Sequence, residues 1–142
     1  MINFNNAIEA DKPQIAEWIA ADPHHANQYE ADYWLTGNDC FLACCLDDES
    51  GPVMYIRFDR EDGDILRLRT QFAPEDQVSK ERAAKVILEA IPGFIAGVQK
   101  EYGIKGVIFE TENPALAGFM RKHFGFKSAG EKDYLLMFPE IN

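Results

Sequence analysis

Three cysteines, Cys40, Cys44 and Cys45, lie in one apolar run a short distance after His24 and His25. Thiolates and imidazoles are zinc ligands, but structural zinc uses paired Cys-x-x-Cys spacing, and adjacent cysteines on a strand point to opposite faces. The spacing predicts no metal site. Phe41, Leu42, Ala43 and Leu46 surround the thiols, whereas a nucleophilic cysteine wants a polar, partly exposed setting. Reduced, buried packing residues are therefore expected, and an odd, crowded set makes no disulfide framework.

A second group is cationic. If residues 65–72 form a strand, alternation puts Arg67, Arg69 and Gln71 on one face and Leu66, Leu68, Thr70 and Phe72 on the other. Two neighbouring guanidiniums suit an anionic ligand. They equally suit ion pairs with some of the 24 acidic side chains. Lys80 and Arg82 form a further basic pair close to the start of a helical pattern.

The elements that must position these groups follow from periodicity. Ile8, Ile15, Trp18 and Ile19 recur at helical spacing over residues 7–21, with Asp11 as a cap and Pro13 in the first turn. Residues 24–38 read as a short helix plus loop. Strand-like runs at 40–46, 53–58 and 65–72 are separated by acidic, Gly-containing turns and predict an antiparallel meander. Ala83, Val86, Ile87, Ala90 and Ile91 begin a helical stripe that runs to Tyr102-Gly103. Pro92-Gly93 predicts a kink there, or two consecutive helices. A buried strand at 106–111, a helix from Asn113-Pro114 to about His123 ended by Gly125, and a last strand at 134–138 complete the order.

Length and composition bound the class. At 142 residues, 46% hydrophobic and 27% charged, the chain predicts one globular domain over 1–142 rather than a disordered segment or coiled coil. No apolar run approaches the ~20 residues that span a bilayer, and Met1-Ile2-Asn3-Phe4-Asn5-Asn6 has no basic region followed by an apolar one. A cytoplasmic chain is expected. The net charge of −10 repels phosphate backbones and anionic lipid, so no nucleic-acid or membrane partner is expected.

The opening Ala7-x-x-Ala10-Asp11-x-Pro13-x-Ile15-x-x-Trp18, the Phe72-x-Pro74-Glu75 that closes the third run, and the Asn113-Pro114 helix leading to Phe124-Gly125-Phe126 together resemble the GNAT superfamily of N-acetyltransferases over nearly the whole chain. The resemblance implies an α/β (α+β) fold, a mixed and mostly antiparallel sheet with helices on both faces. It implies acetyl-CoA as cofactor and a small-molecule or peptide amine as acceptor.

It also shows where this sequence departs. The family's pyrophosphate loop relies on glycines for close backbone approach, but here the loop is Gln77-Val78-Ser79-Lys80-Glu81-Arg82, with Lys80 and Arg82, or Arg82 and Ala84, at the glycine positions. Either the two cations replace amides by direct charge on the phosphates, or they are ordinary first-turn residues. Where many members carry a glutamate base stands Arg69, which stays protonated. Where many carry a tyrosine acid stands Arg121; Tyr102 and Tyr134 could reach the site only through the fold.

The resemblance thus implies cofactor contacts at Phe72, Ala73, Lys80, Arg82, Ala83 and Asn113. It implies a substrate cleft walled by Tyr33, Trp34, Arg67 and Arg69, with Glu110 and Glu112 as the carboxylates nearest a base role. Three functions remain open: an acyl-CoA-dependent N-acetyltransferase, a catalytically silent GNAT-like module that binds a protein or small anion, and an acidic interaction protein whose Asp47-Asp48-Glu49 and 59–64 loops mimic a nucleic-acid backbone.

Overall fold

The computed structural model describes residues 2–23 and 29–139; His24 and His25 lie outside them. The order is β1 (Asn3–Asn6), a 3-10 turn (Glu9–Asp11), α1 (Lys12–Ala21), a second 3-10 turn (Ala31–Trp34), β2 (Leu42–Asp48), β3 (Gly51–Glu61), β4 (Ile65–Phe72), α2 (Lys80–Tyr102), β5 (Gly106–Glu110), α3 (Pro114–Phe124), β6 (Lys127–Ser128) and β7 (Asp133–Met137). The strands form one sheet in the order β1-β2-β3-β4-β5-β7-β6, antiparallel except for the β4–β5 pair. A parallel pair needs a crossover, and α2 supplies it.

Alternation along β3 sends Tyr55 to one face and Phe58 to the other. Tyr55 meets Trp18 of α1 at 5.1 Å between ring centroids, and Phe58 stacks on Phe94 of α2 at 4.2 Å. Helices thus cover both faces, and Trp18, Tyr55, Phe58, Leu66 and Phe109 are all but inaccessible to water. Asp11 does not cap α1 with its side chain. Its carboxylate instead accepts from the Ile8 amide and the Tyr55 hydroxyl, which ties the start of α1 to the sheet.

Two strands lie outside the sequence expectation, and of the two readings of the Pro92-Gly93 interruption, two consecutive helices is excluded. β1 and β6 were hidden because neither carries an alternating apolar pattern: all their residues are exposed, and backbone hydrogen bonds to β2 and β7 define them. α2 is one helix across Pro92 and Gly93. A mid-helix proline costs about 3 kcal/mol, but Val86, Ile87, Ala90 and Ile91 before it and Val98 after it are buried, so packing keeps the helix continuous across it. The helix starts on Ser79, whose hydroxyl accepts from the Arg82 amide, and stops on Gly103 in the left-handed region at φ 65°.

Candidate functional site

The sheet opens between β4 and β5. Their pairing runs from Ile65–Gly106 to Leu68–Phe109 and stops there, while β4 continues to Phe72 paired only with β3. The sequence causes the separation. Asn113-Pro114 follows β5 closely, and proline cannot extend a ladder but fits the first turn of a helix. β5 therefore turns away while β4 goes on, leaving a free backbone edge over residues 69–72. The amide of Ala73 donates to Val53 O at 3.1 Å, on the β3 side. By strand alternation the Phe72 amide faces the open edge.

Beside that edge lies a cleft of about 820 Å³, walled by Trp18 and Asp22 of α1, Phe72 to Pro74, the starts of α2 (Lys80, Ala83, Ala84, Ile87) and α3 (Leu116, Phe119), and Thr111 and Asn113. Its wall is mostly apolar, with Glu75, Asp76 and Glu81 near Lys80 at the mouth. Two helix N-termini converge on it, which supplies amide donors and positive dipole ends. Asn113 spends Oδ1 on capping α3, accepting from Ala115 N at 3.0 Å and Leu116 N at 3.4 Å. Its Nδ2 hydrogens are what it can offer a ligand.

Of the residues singled out as cofactor contacts, Phe72, Ala73, Lys80, Ala83 and Asn113 all line this cleft. Ala73 does so with its amide turned to β3, so it has no backbone N–H to offer a ligand there. Arg82 does not line it. Its guanidinium is bound to both oxygens of Asp48 and to Gly51 O, so the pair of cations separates: Lys80 is exposed beside Glu75 at 3.5 Å, and Arg82 fastens α2 to the β2–β3 turn. Arg82 is corrected from phosphate contact to structural clasp.

The other residues lie across the sheet. Arg67 and Arg69 share the face that alternation predicted, and both are engaged by carboxylates: Arg67 by Glu110 (2.8 Å), Asp133 (2.9 Å) and Glu61, Arg69 by Glu110 (3.2 Å) and Asp59 (3.0 Å). Of the two readings left open for them, ion pairing with acidic side chains is the one the structure shows, and their place as walls of an anion-binding cleft is corrected. Glu110, raised as a base, lies between the two guanidiniums, and Lys132 reaches Glu110 and Glu112 at 4.0 and 3.9 Å. Tyr33 accepts from Arg69 through its hydroxyl at 2.7 Å, and burial pushes its pKa up to about 12.

Sequence reasoning missed Arg57, which organises this side. It is buried, sits 3.9 Å over the Tyr33 ring, and donates to Asp59, Tyr33 O and Asn38 O. The signal was there: an arginine inside the apolar run Val53-Met54-Tyr55-Ile56-Arg57-Phe58 must be paired if buried.

Among the described residues no tyrosine lines the large cleft. Tyr102 lies against Phe41, and Tyr134 pairs with Phe109 in the sheet. No cluster of three or more metal-ligating side chains occurs among the described residues. Burial pushes the Cys44 thiol up to about 11 and also raises Cys45, which suits packing residues. No helix in the described residues is long and apolar enough to cross a membrane.

No family model and no curated protein matches the sequence. Solved structures do match. A GNAT family acetyltransferase from Brucella melitensis in complex with acetyl-CoA is 15% identical, with TM-score 0.64 over 100% of this chain and 92% of its own. The ribosomal-protein-S18-alanine N-acetyltransferase from Escherichia coli is 15% identical, with TM-score 0.66 over 100% and 97%. A spermidine N-acetyltransferase chimera from Vibrio cholerae and hSSAT is 13% identical, with TM-score 0.70 over 96% and 95%. This chain has the GNAT fold, a seven-stranded mixed sheet with helices on both faces.

Proposed function

We propose that this protein uses the cleft beside the open edge of β4 to bind acetyl-CoA and transfers its acetyl group to a small-molecule or peptide amine. The observation that carries the reading is the free backbone edge of β4 bordering an apolar cleft at which two helix N-termini meet. Solved structures of the same fold include proteins in complex with acetyl-CoA or coenzyme A, and an acetyltransferase of spermidine.

In this reading the Phe72 amide donates to the thioester carbonyl, where negative charge develops as the amine attacks. The apolar wall of Ala83, Ala84, Ile87 and Leu116 takes the pantetheine arm, and Lys80 with the first amides of α2 meets the pyrophosphate. Attack needs a neutral amine. Glu110 is held by arginines and Glu112 lies beside Lys132, so rate comes chiefly from positioning, with the proton leaving to water.

A second reading keeps the cleft and drops the transfer. Arg69, Arg82 and Arg121 stand where the family's chemistry would place other residues, and Glu75, Asp76 and Glu81 at the mouth oppose a polyanion. The acidic-mimic reading draws on fewer free groups, since Asp48, Asp59 and Glu61 are all paired with arginines.

Calorimetric titration with acetyl-CoA, on the native chain and on Ala83→Trp, tests the reading. Saturable binding in the native chain that Ala83→Trp abolishes supports it, and release of free thiol with spermidine or an N-terminal peptide then identifies transfer. No binding at millimolar acetyl-CoA rejects it, and binding without thiol release to any amine leaves the silent module.

A further inference from the structure

Gln71 of β4 is fully buried, and its side-chain nitrogen faces three acceptors: Asp22 Oδ2 at 2.9 Å, Phe72 O at 3.3 Å and Trp18 O at 3.5 Å. Turning the amide over would set its oxygen against all three, so the network fixes which way it points. Gln71 Oε1 then has no partner among the described residues, a cost of about 1–3 kcal/mol that an apolar residue here would avoid. What the amide does provide is a fixed place for the Asp22 carboxylate.

That place is the open edge of β4. In an antiparallel pair the N–H and C=O of one residue lie on the same side of the strand. Ala73 N turns to β3, so Phe72 O, like Phe72 N, faces the opening. Gln71 Nε2 therefore stands between that edge and Asp22, which lines the large cleft. The surroundings favour a cation there. Asp22 is the C-cap of α1, and the last turn of this helix has no basic side chain to offset its negative dipole end. Of the wall residues from this end, Trp18, Ala21, Asp22 and Pro23, only Asp22 is charged. The cleft is thus polarised, with the starts of α2 and α3 as its positive side and the end of α1 as its negative side.

We propose that Asp22, positioned by Gln71, binds a primary alkylammonium at the α1 end of the cleft. An ammonium brings three donors on a compact charge, which suits a carboxylate held in one place. Bound there, its nitrogen lies beside the backbone edge to which the acetyl-transfer reading brings the thioester carbonyl. That this cation is the acceptor amine rests on that reading; the carboxylate site itself does not.

The test is NMR titration with butylamine, and with butanol as its uncharged counterpart, at neutral pH and low salt, followed on the backbone amides of Ala21 and Phe72. Each is titrated alone and with coenzyme A present. Butylamine is expected to shift these signals saturably and butanol not to. Asp22→Asn keeps the shape and removes the charge, and is expected to weaken butylamine at least about tenfold with an unchanged melting temperature. Gln71→Leu should weaken butylamine in the native background but not further in Asp22→Asn, since it acts through that carboxylate. Equal shifts with butylamine and butanol, no shift with either, or undiminished butylamine binding by Asp22→Asn overturns the proposal. A Gln71→Leu effect of the same size in both backgrounds overturns the positioning role. Butylamine binding without acetyl-CoA binding fails only the acetyl-transfer reading, and acetyl-CoA binding without butylamine binding fails only the ammonium site.

Discussion

The Arg82 guanidinium grips Asp48 at two points, Nε to Oδ2 and Nη2 to Oδ1, each 2.6 Å. The pair is 34 residues apart in sequence and fixes the first turn of α2, and with it the loop at the cleft mouth, to the β2–β3 turn. Arg82 chiefly, with the Ser50 and Gly51 amides assisting, holds the Asp48 carboxyl down from its ordinary 3.8 to about 2.

The sign of the pH effect follows. A depressed carboxyl stabilises the fold above about pH 4 and loses that contribution as pH falls toward 2. Asp48→Asn is expected to cost about 1 kcal/mol near neutrality, since the pair is partly exposed. Thermal melts of native and variant chains between pH 2 and 7 should converge at the acid end. A gap that persists unchanged at pH 2 would assign the loss to something other than this charge.

Tyr33 supplies the alkaline counterpart. Burial raises its pKa to about 12 against the pull of Arg69 and Arg57. A raised phenol stabilises the fold below about pH 10, and the contribution is lost as pH rises toward 12. Tyr33→Phe should lose about 1 kcal/mol at pH 8 with its hydrogen bond to Arg69, and should lose less further stability than the native chain between pH 9 and 11. Urea unfolding across that range reads the difference.

Glu110 joins Arg67 and Arg69, so Glu110→Gln leaves two part-buried guanidiniums short of a shared counter-charge. A loss of about 2–4 kcal/mol in urea unfolding is expected. A variant of native stability would show that Asp59, Asp133 and Glu61 suffice, and would reopen a chemical role for this carboxylate.

Two glycines should respond in opposite directions. At Gly93, inside α2, an added Cβ meets nothing within 4 Å, so Gly93→Ala should stabilise by about 0.5–1 kcal/mol through helix propensity. At Gly106 the same Cβ comes within 2.7 Å of Met137 Sδ and 2.8 Å of Leu136 O. Gly106→Ala should therefore push β7 away from β5 and lower the melting temperature by several degrees.

Much of the architecture was legible because it is written in local patterns. Alternation placed Arg67, Arg69 and Gln71 on one face of β4, the Ala83-Val86-Ile87-Ala90 stripe placed α2 on the sheet, and Asn113-Pro114 with Gly125 bracketed α3. β1 and β6 were not legible. Their residues are exposed, and only a neighbour's unsatisfied backbone makes them strands. At Pro92 the local penalty does not divide the helix, because buried side chains before and after it pack α2 onto the sheet.

The site divides along the same line. The sequence by itself determined the order of the elements other than β1 and β6, the likeness to a known fold, the apolar setting of the cysteines and the set of charged residues near the sheet opening. Only the tertiary structure decided which of those charges are free. Arg82 binds Asp48, and Arg69 binds Glu110 and Asp59, each through contacts 10 to 41 residues apart. Periodicity reports the face a side chain takes, because that is set by its own backbone. Its partner on that face depends on how distant segments dock, and no local pattern carries that information.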